Sequence, residues 1–159
     1  LSLFDRLDVD AATVNPYLGA DALLPFLERV DHGAFVLAVT SNPGGADLQE
    51  LVCEGEPLFR HVIRMARRLN GSGNVGLVVG ATRPTLWRDV MDVAVDLPLL
   101  VPGIGAQGGD LGLLKSALRD YPAPTLVNAS RSIIYASSGA DFGRAAREAA
   151  LNLADKLRE

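Results

Sequence analysis

Five short runs built mainly from Ala, Val and Leu, each closed by Gly, Pro, Asn or Ser, alternate with amphipathic stretches along the whole chain. Runs that are apolar at nearly every position must be covered on both faces, and such strands arise where helices alternate with a parallel sheet. The strands are predicted over residues 11–15, 34–40, 75–80, 99–102 and 125–128, and the helices over 22–30, 57–69, 84–95, 111–119 and 141–157. In the last helix Phe142, Ala145, Ala146, Ala149, Leu153 and Leu157 recur at helical spacing. Asp141 is placed to cap it, and Pro57 and Pro84 suit first-turn positions. Residues 71–74 (GSGN) form a loop within a single domain, expected to cover 1–159. Residues 1–9 read as the remnant of a preceding helix or as a joint.

Eight parallel strands and about 250 residues close a (β/α)8 barrel, whereas this chain has 159 residues. Five strands cannot close one and leave unpaired edges. The expected class is α/β, a (β/α)8 TIM barrel present as about five βα units. An open doubly wound sheet is the free-standing alternative. Two strand ends favour the barrel. Residues 101–110 (VPGIGAQGGD) and 127–136 (VNASRSIIYA) each leave a strand through small turn-forming residues and open a helix. The loops after the last two strands of a barrel commonly hold phosphate. Glycines let backbone approach an anion, helix starts aim N–H groups at it, and a guanidinium matches its oxygens as a planar fork.

These residues also carry a resemblance. Residues 10–19 (DAATVNPYLG), 35–44 (FVLAVTSNPG), 76–82 (GLVVGAT), 101–110 and 127–136 resemble, in order, the fourth to eighth strands and loops of the orotidine 5'-phosphate decarboxylase family in its longer bacterial form. The resemblance runs from about Asp10 to the end. It implies a barrel whose first three βα units lie outside this sequence, and the start at Leu1 rather than at Met fits that expectation. It further implies conversion of orotidine monophosphate (OMP) to UMP and CO2 in pyrimidine biosynthesis, without metal or cofactor, by a homodimer.

Site residues follow from the same resemblance. Gln107 and Arg131 match the family's phosphate contacts, with backbone N–H groups of Gly105, Gly108, Ser130 and Arg131 as further donors. Thr40, Ser41 and Asn42 match the loop that approaches the pyrimidine ring. Asn15 lines the site or touches a neighbouring subunit. Each has a plainer reading: a loop amide for Gln107, a helix-surface charge for Arg131, and turn chemistry for Ser41 and Asn15. The polar stretch 43–56 is a candidate lid or a surface excursion.

The family's catalytic groups are lysines and aspartates alternating on the second and third strands. This chain has two lysines, Lys115 and Lys156, both in predicted helices, so no catalytic residue carries over. Two other readings stay open: another phosphosugar-acting barrel of the same superfamily, and a non-catalytic phosphate-binding half-barrel.

Composition narrows the partners. A net charge of −4 gives no basic footprint for nucleic acid. No apolar run is long enough to span a membrane. The first residues lack the basic start and apolar core of a signal peptide. Cys53 is the single cysteine, which excludes an intrachain disulfide and points to the cytoplasm. His32 and His61 have no neighbours at metal-ligand spacing, Cys53 has no adjacent base, and Trp87 and Met91 are placed to pack inward from one helix.

Overall fold

The computed structural model describes residues 2–104 and 109–158. Helix α1 (Ser2–Leu7) leads to strand β1 (Ala11–Val14), and helix α2 (Ala20–Leu27) returns the chain to β2 (Gly33–Val39). One elaborate connection follows: helix α3 (Ala46–Gln49), then a hairpin of β3 (Val52–Cys53) and β4 (Glu56–Pro57), then helix α4 (Leu58–Leu69). Regular alternation resumes with β5 (Val75–Val79), α5 (Trp87–Ala94), β6 (Leu99–Pro102), α6 (Leu111–Leu118) and β7 (Thr125–Asn128). Helices α7 (Arg131–Ile134) and α8 (Phe142–Arg158) end the chain.

The main sheet runs β1-β2-β5-β6-β7, and every neighbouring pair is parallel. Spatial order therefore equals sequence order. A doubly wound sheet reverses its order at a switch point, and this one never does. Each crossover steps to the next position in the same direction, which is how a barrel is wound, and the sheet curls as part of one.

The two faces of the sheet differ. Ala34, Val36, Leu77, Leu99 and Val101 lie under the helices with no exposed surface, packed in one cluster with Phe59 and Ile63 of α4, Val90 of α5 and Leu114 of α6. On the other face Leu37 sits beside Val78, Val78 beside Leu100, and Leu100 beside Leu126. Leu37 and Leu100 are only half-buried there, and Leu126 of the edge strand is 55% exposed. Parallel pairing also sets Phe35 beside Gly76. A Cβ on Gly76 would lie 2.5 Å from the Phe35 ring and 2.9 Å from the Pro98 carbonyl oxygen. The glycine is the space that the ring fills.

Several boundaries depart from expectation for local reasons. Helix α2 begins at Ala20 and stops at Leu27, because the chain turns through His32 N–H to Arg29 O (2.9 Å) to start β2 at Gly33. Pro57 is not in a first helical turn; it pairs with Val52 in the hairpin and precedes α4. Pro84 opens a separate 3-10 turn (Pro84–Leu86) ahead of α5, which ends where Val95 takes a φ of 56°. Phe142 is 64% exposed, since α8 lies at the end of the sheet and rests on α7 and α6, where Lys115 Nζ donates to Lys156 O (2.9 Å). The Asp141 carboxylate takes hydrogen bonds from Ser137 (2.7 Å) and Arg144 (3.0 Å). The first residues form a packed helix: Phe4 of α1 is buried, stacks on His32 at 4.4 Å and meets Phe26 edge-on at 6.2 Å. His61 binds the Cys53 carbonyl oxygen (2.9 Å), so both histidines serve packing. Trp87 is buried and Met91 half-buried against the same core.

Two predictions follow from this packing. Gly76→Ala should cost about 1–3 kcal/mol of unfolding free energy, since both the ring and a backbone oxygen block the new methyl; denaturant titration reads the loss, and Phe35→Leu should recover part of it. The second concerns Tyr121, whose hydroxyl donates to Leu97 O (2.7 Å). Burial, helped by the Asp96 charge, pushes its pKa from 10.0 up to about 12. The fold favours the neutral phenol, so this contribution is complete below pH 10 and disappears as pH rises through about 12. Thermal melts across that window should fall more steeply for the parent than for Tyr121→Phe; identical slopes would remove Tyr121 as the cause.

Candidate functional site

All five strands run the same way, so the loops that follow them gather on one rim. Backbone hydrogen bonds tie that rim together: Gly80 N–H to Val39 O (2.7 Å), Ala81 N–H to Pro102 O (2.8 Å) and Gly109 N–H to Gly103 O (3.1 Å). A register shift between Leu37 and Val39 pairs Val39 with Val79 and steps over Ala38 just below the loop. Bulges of this kind redirect a strand end. Gly103 has a φ of 102°, a conformation that glycine adopts without strain.

Arg131, the first residue of α7, is exposed and has no ion-pair partner among the described residues. It lines two clefts. One, of about 590 Å³, is shared with Ser41, Asn42, Pro43, Ala46, Thr82 and Arg83. The other, of about 130 Å³, lies between the ends of β6 and β7 and is lined by Pro102, Gly103, Ile104, Asn128, Ala129 and Ser130. Ser130 donates its hydroxyl to Asn128 Oδ1 (3.3 Å), and its carbonyl accepts from Ile133 (3.0 Å) and Ile134 (2.9 Å). Gly105, Gln107 and Gly108 lie outside the described residues. Their flanks, Ile104 and Gly109, form a parallel bridge, and Asp110 caps α6 by accepting from Leu113 N–H (3.0 Å).

The loop after β2 divides the remaining candidates. Ser41 and Asn42 face the larger cleft with Arg131. Thr40 lines a different cavity, of about 710 Å³, together with Asn15 and one side of Asn42. Thr40 is engaged by Gln49: its N–H donates to Gln49 Oε1 (3.0 Å), and Gln49 Nε2 donates to its Oγ1 (2.8 Å). Asn15 accepts from Tyr17 N–H (3.0 Å) and caps the 3-10 turn Pro16–Leu18.

Four residues at this rim are not named as site candidates from the sequence. Gln49 fastens α3 to Thr40. Thr82 donates its hydroxyl to Ser41 O (2.8 Å). Glu50 and Arg83 form an ion pair. Only the GAT segment ending in Thr82 was marked by pattern; the other contacts are long-range and leave no local trace. The stretch 43–56 is thus a built connection with its own helix and hairpin.

No group of three or more His, Cys, Asp or Glu side chains among the described residues is arranged to hold a metal ion. No helix among them is long and apolar enough to cross a membrane. Neither lysine lines either cleft at Arg131.

Residues 3–149 match the model of the orotidine 5'-phosphate decarboxylase / HUMPS family. The chain is 51% identical over 157 residues to an orotidine 5'-phosphate decarboxylase of Roseiflexus sp. (strain RS-1), covering 97% of this chain and 58% of that protein. It is 48% identical over 161 residues to one of Haloarcula marismortui, covering 94% and 57%. Among solved structures, Leishmania donovani OMP decarboxylase aligns with a TM-score of 0.82 at 38% identity, over 99% of this chain and 61% of that one. The chain therefore spans less than two thirds of the length of these relatives. With its curled parallel sheet and its match over residues 3–149, the chain belongs to the orotidine 5'-phosphate decarboxylase / HUMPS family.

Proposed function

We propose that this chain supplies the phosphate- and pyrimidine-binding portion of an orotidine 5'-phosphate decarboxylase. Residues 1–159 would form the C-terminal part of one barrel domain. The reaction is OMP to UMP and CO2 in cytoplasmic pyrimidine biosynthesis, by a homodimer that needs no metal or cofactor. The observation that carries the reading is 51% identity to a decarboxylase across 97% of the chain. Arg131, without an ion-pair partner among the described residues and sharing a cleft with Ser41, fits it.

Each residue's part follows from its chemistry. Arg131 offers a fork of donors to the 5'-phosphate. Gln107 adds a side-chain amide, and the backbone N–H groups of Gly105, Gly108 and Ser130 add donors beside it. Ser41 and Asn42 meet the base, where a hydroxyl and an amide can read the donor and acceptor edge of a pyrimidine. Asn15 and Thr40 shape the rim through the contacts described above. Binding energy from the phosphate and the remote ring edge drives the bond-breaking elsewhere on the ligand. In that step the bond from the ring carbon to the carboxylate breaks, the electron pair stays on the ring carbon, and a proton replaces CO2. Lys115 is tied to α8 by its bond to Lys156 O. The proton donor is therefore assigned to units that the longer relatives carry and this stretch does not.

In the full-length protein Arg131→Ala should weaken UMP binding by about 1.5–3 kcal/mol, the loss of a charge-assisted contact. Titration calorimetry reads it, with exposed Arg88→Ala as the control. Equal affinities for parent and Arg131→Ala would take Arg131 out of the site. The 159-residue chain alone should not consume OMP, because it lacks an acid at the ring carbon. A fall in orotate absorbance above a buffer control would place an acid within this stretch.

A further inference from the structure

We infer that Glu50 and Arg83 form a clasp that positions the base-reading loop, a role that rests on the function proposed above. The loop leaves β2 at Thr40 and returns through α3, whose last residue Gln49 and following residue Glu50 are both committed. Gln49 turns back to Thr40, binding its N–H and its hydroxyl oxygen (3.0 and 2.8 Å). Glu50 reaches across the rim to Arg83, at the start of the 3-10 turn after β5. Successive helical residues point about 100° apart, so the two grips fall on two different elements.

A third tie lies beside them: Thr82 Oγ1 donates to Ser41 O at 2.8 Å. The loop is thus fixed at its start, at Ser41 and at its return. Gly45, buried within α3's approach, cannot gain a side chain without meeting Thr40 Oγ1 at 2.7 Å and Gln49 Oε1 at 2.9 Å. The side chains of Arg83 and Glu50 are 20% and 35% exposed. That leaves the pair shielded enough to hold and exposed enough to be replaced without opening the core. Arg83 lines the same cleft as Ser41, Asn42 and Arg131, so its pairing state bears directly on that cleft. Arg83 and Glu50 are positioning residues: they act on the ligand through Ser41 and Asn42.

The full-length protein tests this with Arg83→Gln, Glu50→Gln, their double variant, and the reversed pair Glu50→Arg with Arg83→Glu. Each single change should raise KM for OMP and weaken UMP binding on the order of five-fold, with kcat and the melting midpoint near the parent's. The double variant should be no worse than the singles, and the reversed pair should recover most of the loss. Amide hydrogen exchange over residues 41–51, measured without ligand, should accelerate in the singles and return in the reversed pair. Unchanged KM, UMP affinity and exchange in the singles, or strictly additive losses in the double, would overturn the clasp. A parent protein that binds neither OMP nor UMP would sink the proposed function instead, and the exchange comparison would still decide the clasp.

Discussion

The loop after β2 reaches the cleft because the chain just beyond β5 has no side chain in its way. A Cβ on Gly80 would stand 2.7 Å from Ser41 N, 2.8 Å from Ser41 Cα and 2.9 Å from the Thr40 carbonyl carbon. These are backbone atoms, which cannot swing aside as a flexible side chain can. The loop is therefore laid on the end of the central strand at main-chain contact. The fully buried β5 hands its rigidity to Ser41. Thr82, two residues past Gly80, is then within reach of the Ser41 carbonyl. A site held by a packed strand keeps its geometry better than one held by a free loop.

The asymmetry of the sheet explains why so much of the rim is built from backbone bonds. The helix-covered face supplies the dry core, where Ala34, Val36, Leu77, Leu99 and Val101 have no exposed surface. The concave face is apolar yet open, down to Leu126 at the edge. Fully burying such a side chain is worth about 1.5–3 kcal/mol. Among the described residues no strand pairs with the outer edge of β1 or of β7. Apolar surface and free edges together form a template for further parallel strands. The βα units that the relatives carry beyond this stretch would meet it there.

Legibility in the sequence followed the range of the interactions. β6 and β7 fall on the predicted residues, β1 and β5 stop one residue early and β2 is shifted by one residue at both ends, because runs of Val and Leu announce a buried parallel strand wherever they occur. Strand count alone suits a barrel or a doubly wound sheet; the two turn-rich late strand ends and the resemblance pointed to the barrel, and the unreversed strand order bears that out. Stretch 43–56 read as a lid or a polar excursion, without elements, because its helix spans four residues and each hairpin strand two, too short for any periodicity to register. Phe142 fitted the apolar spacing of its helix, but spacing carries no information on whether a neighbour lies opposite. At the site, turn chemistry marked the strand ends that carry Arg131, Ser41 and Asn42, and the resemblance gave those residues their expected roles. Gln49 and the Glu50–Arg83 pair were not, since a contact between distant loops leaves no mark on either.

Two arginines at one cleft stand in different electrostatic positions, and the difference bears on which could meet an anion. Arg83 already has a carboxylate partner, so taking an anion would require giving up Glu50 and leaving that charge beside the newcomer. Arg131 has no such partner among the described residues, so turning toward an anion would break no ion pair. With Arg83 and Glu50 cancelling, the group as a whole carries the single positive charge of Arg131. In a chain of net charge −4 that local reversal of sign would favour an anion at this place on the rim. Loss of Arg83 would leave Glu50 without its partner and free the loop at once. Holding the loop and screening the carboxylate are therefore one task, carried by the same guanidinium.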